Sequence, residues 1–306
     1  MVKKTVPLKP LKDFNYRLVK EKLDGLLINV DRDLQRKVKE AAKAGRPTAS
    51  RCTELLNVMV RFAANSYHAA KYIMADEPDD PNRNMKYALI LPGVNRQLLD
   101  LLFSLVYMMD DFEARSLEYQ KAGWREAKEE YQRFRNRFSR DREWTPFFEA
   151  SRANIAQIEP ILGLTDAERK NPKLIPYWKA PYKLTTQKTK SRPFLKWLET
   201  WLYGDTSAQA HLSFGGLFTI SPFLVAEIIG GQFQEQIENR EIHSYRYQQF
   251  SRTAIVTLAI ATEADARLQL RNRDALLQLW GIFGEYSAEA KEMFQHRYQA
   301  LLNSYS

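Results

Sequence analysis

The chain has a single cysteine, Cys52, among its 306 residues, so no disulfide can form within it. That usage fits a reducing compartment, and a cytoplasmic location is expected. Glycine (12) and proline (13) are scarce, whereas a protein built of many strands and tight turns needs more of both. The four histidines, His68, His211, His243 and His296, lie far apart, and there is no cysteine pair or His-Glu-x-x-His, so no metal site is expected. Gly215–Gly216 and Gly230–Gly231 lack the Lys-Ser/Thr of a phosphate loop, and no Gly-x-Ser-x-Gly elbow occurs, so no cofactor is expected either. The longest run without a charge or a histidine, Leu212 to Ala226, contains Ser213, two glycines, Ser221 and Pro222. It is too short and too interrupted to span a bilayer. The start, "MVKKTVPLKPLKDF", lacks the apolar stretch of a signal peptide, and a soluble protein is expected.

What remains is helix-forming. Hydrophobic residues make up 44% of the chain and aromatic residues 12%, a globular composition. Leu, Ala, Gln, Glu, Lys and Arg fill long stretches at helical period, with no sustained alternation of period two. The pattern predicts an all-α fold, a single multi-helix bundle over 51–306 preceded by a basic helical arm over 1–50. Two segments are apolar nearly all round and should thread the centre, residues 92–120 and 249–271. Two helices are read within 12–48, a helix over 50–74, a charged helix after Gly123 and another starting at Pro222. A C-terminal amphipathic helix could serve a dimer through Met293, Phe294, Tyr298 and Leu301. Residues 163–193 carry four prolines and no periodicity, and read as a long loop.

The net charge of +9 is unevenly placed. Residues 1–51 hold 14 Lys/Arg against 6 Asp/Glu, and residues 166–199 hold nine basic against three acidic. Clustered cations attract phosphate backbones because binding releases counterions. Lys3, Lys4, Lys9 and Lys12 on the arm, and Lys183, Lys188, Lys190 and Arg192 on the loop, are therefore the candidate contacts to RNA or DNA.

The stretch "YGDTSAQAH", residues 203–211, carries the most suggestive chemistry. On a continuous helix Tyr203, Ser207 and His211 share one stripe, and His211 could activate Ser207 as a nucleophile. The competing reading is a capping box, Thr206 with Gln209, after a break at Gly204, with His211 merely packed. Arg96 and Asp100, four apart at the head of the first apolar helix, must pair or meet another polar group. Glu263 and Asp265 interrupt the second apolar helix in the same way. Were Arg96, Asp100, Glu263 and His211 to converge, they would form a polar pocket inside the bundle. A structural salt-bridge network is the competing reading.

"RQLLDLLFSLVYMMDD" followed by Tyr-x-x-x-Ser-x-x-x-His resembles a family of uncharacterised bacterial helical proteins found in mobile or defence-like gene neighbourhoods. The resemblance covers about 50–270; Asp100 stands where that family commonly has Glu. It implies an all-helical fold and candidate positions at Arg96, Asp100, Tyr203, Ser207 and His211, but no reaction. The nearest group with known chemistry, the HEPN ribonucleases, uses Arg, four intervening residues, then His. No histidine here has that spacing; in "RFAANSYH" six residues separate Arg61 from His68. The expected role is a component of bacterial defence or stress response acting through a protein partner, a second copy or nucleic acid. The alternative is a ribonuclease or other hydrolase using His211, Ser207, Tyr203, Arg96 and Asp100.

Overall fold

A computed structural model describes residues 16–74, 85–211, 214–237 and 242–304. Every regular element among them is helical. Lys3, Lys4, Lys9 and Lys12 lie outside the described residues.

Helix α1, Tyr16–Lys43, is one continuous helix and not two, because Gly25 sits in its interior at a cost of only about 1 kcal/mol. The described part of the basic segment is built into the core: Val19, Leu23, Leu26, Leu27, Val30 and Leu34 are all buried. Gly45, at φ +64°, ends α1. Its N–H donates to the Ala42 carbonyl and that of Arg46 to the Ala41 carbonyl, closing the last turn. Pro47 then opens α2, Pro47–Ile73, antiparallel to α1.

Helix α3, Leu91–Met109, buries twelve of its residues, Leu98, Leu102 and Phe103 fully among them. Each such side chain contributes about 1.5–3 kcal/mol of transfer free energy. Ala88–Met109 is the one described stretch long and apolar enough to cross a membrane, and 56% of its most apolar window is buried within the protein. The apolar segment expected to reach residue 120 stops at Met109. Asp110 turns its carboxylate out to Ser191, accepting from the backbone N–H at 3.1 Å and from Oγ at 2.7 Å. Asp111 leaves helical geometry, and Arg115 donates to the Tyr107 carbonyl freed at the end of α3. Helix α4, Phe112–Phe138, then passes through Gly123 without a break. It pairs with α5, Thr145–Ile158. Phe134 and Phe138 stack there on Trp144, at 5.5 and 4.3 Å between ring centres.

The long loop holds short helical turns, α6 Asp166–Lys170 and α7 Pro181–Leu184. It packs through Trp178, whose indole N–H donates to Ser104 on α3. Helix α8, Arg192–Leu198, runs through a wide π-turn at Glu199–Tyr203 straight into α9, Gly204–Ala210. Helix α10, Phe214–Ile229, continues through Pro222 instead of starting there. Proline cannot donate to the Phe218 carbonyl four residues back, and the Ser221 hydroxyl takes that carbonyl at 3.0 Å. Helix α11, Gly231–Gln236, follows.

Helix α12, Ile242–Leu268, is buried almost continuously from Gln249 to Asp265. It lies parallel to α3. Asn95 bonds Gln249 and Thr253 near the start of both helices, and Asp110 and Glu263 are bridged at their far ends. Asp265 is buried and holds the turn after α12, accepting from the Asn272 backbone and side chain. Helices α13, Arg273–Tyr286, and α14, Ala288–Met293, lead through a second π-turn to α15, Gln299–Asn303. Met293 and Tyr298 are fully buried, and Phe294 and Leu301 are half-buried against the same core, so most of the apolar face expected to serve a dimer is spent inside the chain itself.

Candidate functional site

The π-turn decides the geometry around the stretch 203–211. Because α8 flows into α9, Gly204 lies within the helix and no break separates Tyr203 from Ser207. The capping box does not form. Thr206 is buried inside the helix with its hydroxyl unpartnered, and Gln209 faces the core. There Gln209 accepts from Tyr245 and Gln249, which joins it to the buried Asn95–Thr253 cluster.

Tyr203, Arg96 and Asp100 come together. The Arg96 guanidinium lies over the Tyr203 ring at 3.6 Å from its centre, and the edge of that ring meets Phe103 at 5.2 Å. Arg96 Nη1 stands 3.3 Å from Asp100 Oδ1. The pair is close but poorly aligned, since both atoms, with Arg96 Nε, are buried without a hydrogen-bond partner. Burial pushes the Asp100 carboxyl up and the Arg96 guanidinium down, outweighing their mutual attraction. His211 is exposed at the end of α9, near enough for its charge to be felt at Asp100. Its backbone N–H donates to the Ser207 carbonyl at 3.0 Å, so the link between those residues is main-chain and not Oγ to imidazole. The arrangement holds the Arg96 guanidinium between the Tyr203 ring face and the Asp100 carboxylate. A base-activated Ser207 needs a side-chain contact that this arrangement does not supply.

Glu263 does not join that cluster. It pairs by both oxygens with Arg297, at 2.9 Å from Nη2 and through Nε, and is almost wholly buried. Arg297 Nη1 donates to Ser191 Oγ at 3.0 Å, and Ser191 Oγ donates to Asp110. This relay of Glu263, Arg297, Ser191 and Asp110 lies at the far end of α3, about 20 Å along the helix from Arg96. Burial works against the Arg297 charge, but Glu263 beside it raises the guanidinium above its ordinary range. Sequence reading missed Arg297, Ser191 and Asp110; the acid pair closing an apolar run was the one visible signal. Among the described residues, no three His, Cys, Asp or Glu side chains gather as a metal site would require.

Lys183, Lys188, Lys190 and Arg192 are all exposed on the segment leading into α8. A different surface lies on α10. Phe218 is 73% and Ile228 84% exposed, with Leu217, Leu224 and Ile229 beside them. The other side of α10 buries Ile220 and Phe223 against Ile237 and Tyr245.

Set against family models, curated proteins and solved structures, the chain matches none of them. Neither the likeness to HEPN proteins nor the motifs read from the sequence find support in these comparisons. An uncharacterised helical family is compatible with this outcome.

Proposed function

We propose that this chain is a helical protein-contact module that works as a pair, a second copy docking on the exposed face of α10. The observation that carries the reading is the row Leu217, Phe218, Leu224, Ile228 and Ile229, recurring at helical period with no charge among them. Contiguous apolar surface of this kind marks an interaction site. The row presents roughly 600 Å² per copy, so two copies bury about 1,200 Å², the lower edge of the standard range for specific interfaces. The chemistry favours protein over lipid. An interfacial membrane helix flanks its apolar face with Lys and Arg, whereas the only charged residue of α10 is Glu227. An uncharged face also suits a homodimer, whose interfaces are the more apolar class.

Sedimentation of the full chain tests this. The wild type should run as a dimer, and Phe218→Glu with Ile228→Lys should run as a monomer of unchanged helicity. A wild type that stays monomeric at about 100 μM, well above ordinary dimer affinities, sinks the reading.

Nucleic-acid contact is a second reading, supported by four exposed cations within ten residues, Lys183 to Arg192. It predicts association with RNA or DNA that falls steeply with salt and weakens when those lysines are neutralised. Unchanged binding by the neutralised variant speaks against it.

A further inference from the structure

The far end of the α3–α12 pair opens into a cavity of about 440 Å³, enough for a small ligand. Its floor is the relay already described, and its rim carries Lys190 and Arg267. The charges in it are not balanced. Glu263 is held by two donors of Arg297, and Asp110 by the Ser191 hydroxyl, the Ser191 N–H and the nearby Arg115 at 3.6 Å. Neither carboxylate is left to hold a cation. The Arg297 fork has five N–H groups, and three are engaged, by Glu263 twice and Ser191 once. Lys190 and Arg267 are exposed and have no carboxylate partner among the described residues. Arg267 only leans on the Phe112 ring, 5.0 Å away. Three cations over two satisfied anions make a recess with a positive surplus. Met109 and Leu301 add apolar surface to its lining.

We propose that this cavity binds a phosphoryl group, free or carried on a small organic monoester, between Lys190 and Arg267 at the mouth and Arg297 beneath. A dianionic phosphate presents three oxygens to these three side chains, and arginine forks match that geometry. The organic part of an ester would lie along Met109 and Leu301. The recessed Arg297, its side chain only 14% exposed, favours a small ligand over a polymer, whose backbone would reach the rim cations alone. This site is independent of the α10 face and stands or falls separately.

Calorimetric titration of the full chain with inorganic phosphate, adenosine monophosphate and a 5′-hydroxyl oligonucleotide is the test. Saturable binding of phosphate or the monophosphate is expected. Tighter binding of the monophosphate assigns the ester as the source, and equal binding assigns the free ion. Lys190→Ala combined with Arg267→Ala, both at exposed positions, should weaken binding at least tenfold. Lys183→Ala with Lys188→Ala, outside the cavity, should leave it unchanged. The proposal is overturned by no saturable heat with either small ligand, by undiminished binding in the Lys190/Arg267 variant, or by binding of the oligonucleotide alone.

Discussion

Replacing Arg297 by methionine removes one half of the most deeply buried ion pair in the described structure. Glu263 is 1% exposed and receives two of its hydrogen bonds from this guanidinium. Without it, a carboxylate stays behind in an apolar setting, and Ser191 loses the donor to its hydroxyl. Breaking one side of a buried pair costs about 3–5 kcal/mol. In a chain of this size each kcal/mol moves the midpoint by roughly 2–4 °C, so the variant should melt about 6–20 °C lower. Removing both charges is a different matter, because a well-packed apolar pair can equal a buried ionic one. Arg297→Met with Glu263→Leu should therefore recover most of the loss. Urea unfolding followed by circular dichroism, with calorimetry, measures both. A single variant that loses under about 1 kcal/mol, or a double variant no better than the single, refutes the reasoning, since additive losses mean no coupling.

Other outcomes follow from burial and position. The Tyr67 hydroxyl is buried without a partner, and burial, then the Asp24 charge, raises its ionisation above the ordinary phenol range. In the unfolded chain Tyr67 loses its proton near pH 10 while the folded chain keeps it, so stability falls as pH rises past that point. Tyr67→Phe should be neutral or stabilising at pH 7 and should flatten that alkaline decline; an unchanged decline in pH-dependent melting argues against this. Cys52 is buried and its thiol is pushed up by burial, so a disulfide reagent should react only as the chain unfolds. Rapid labelling of the native protein contradicts that placement. His211 is exposed, so His211→Ala should melt within about 0.5 kcal/mol of the wild type. If a hydrolytic activity exists at this site the same variant should abolish it, and an active variant removes His211 from the chemistry.

The parts of the fold legible in the sequence were those set by local period. The apolar belts of α3 and α12 stood out because nearly every residue over several turns is hydrophobic, and both are buried. Boundaries were less legible where tertiary contacts overrule local breakers. Gly25, Gly123 and Gly204 all sit inside helices, and Pro222 is carried by the Ser221 hydroxyl. The end of α3 is fixed by Ser191, 81 residues beyond Asp110. No local window contains that information. The same holds for the candidate site. Arg96 and Asp100, one helical turn apart, are readable as a pair, whereas the meeting of Arg96 with Tyr203 depends on the continuity of α8 and α9. Glu263 is readable as a buried charge, but its partner Arg297 lies 34 residues on, past two helices.

The proposal that two copies meet on α10 is most directly tested by dipolar spectroscopy on a single nitroxide at Gln232→Cys, an exposed position just past that helix. Cys52 is buried and stays unlabelled. With 16 residues α10 is about 24 Å long, so labels on docked copies stay within measurable range. A narrow intermolecular distance, lost on adding Phe218→Glu with Ile228→Lys, is the predicted result. A signal decaying without dipolar modulation, or a distance that survives those substitutions, contradicts it.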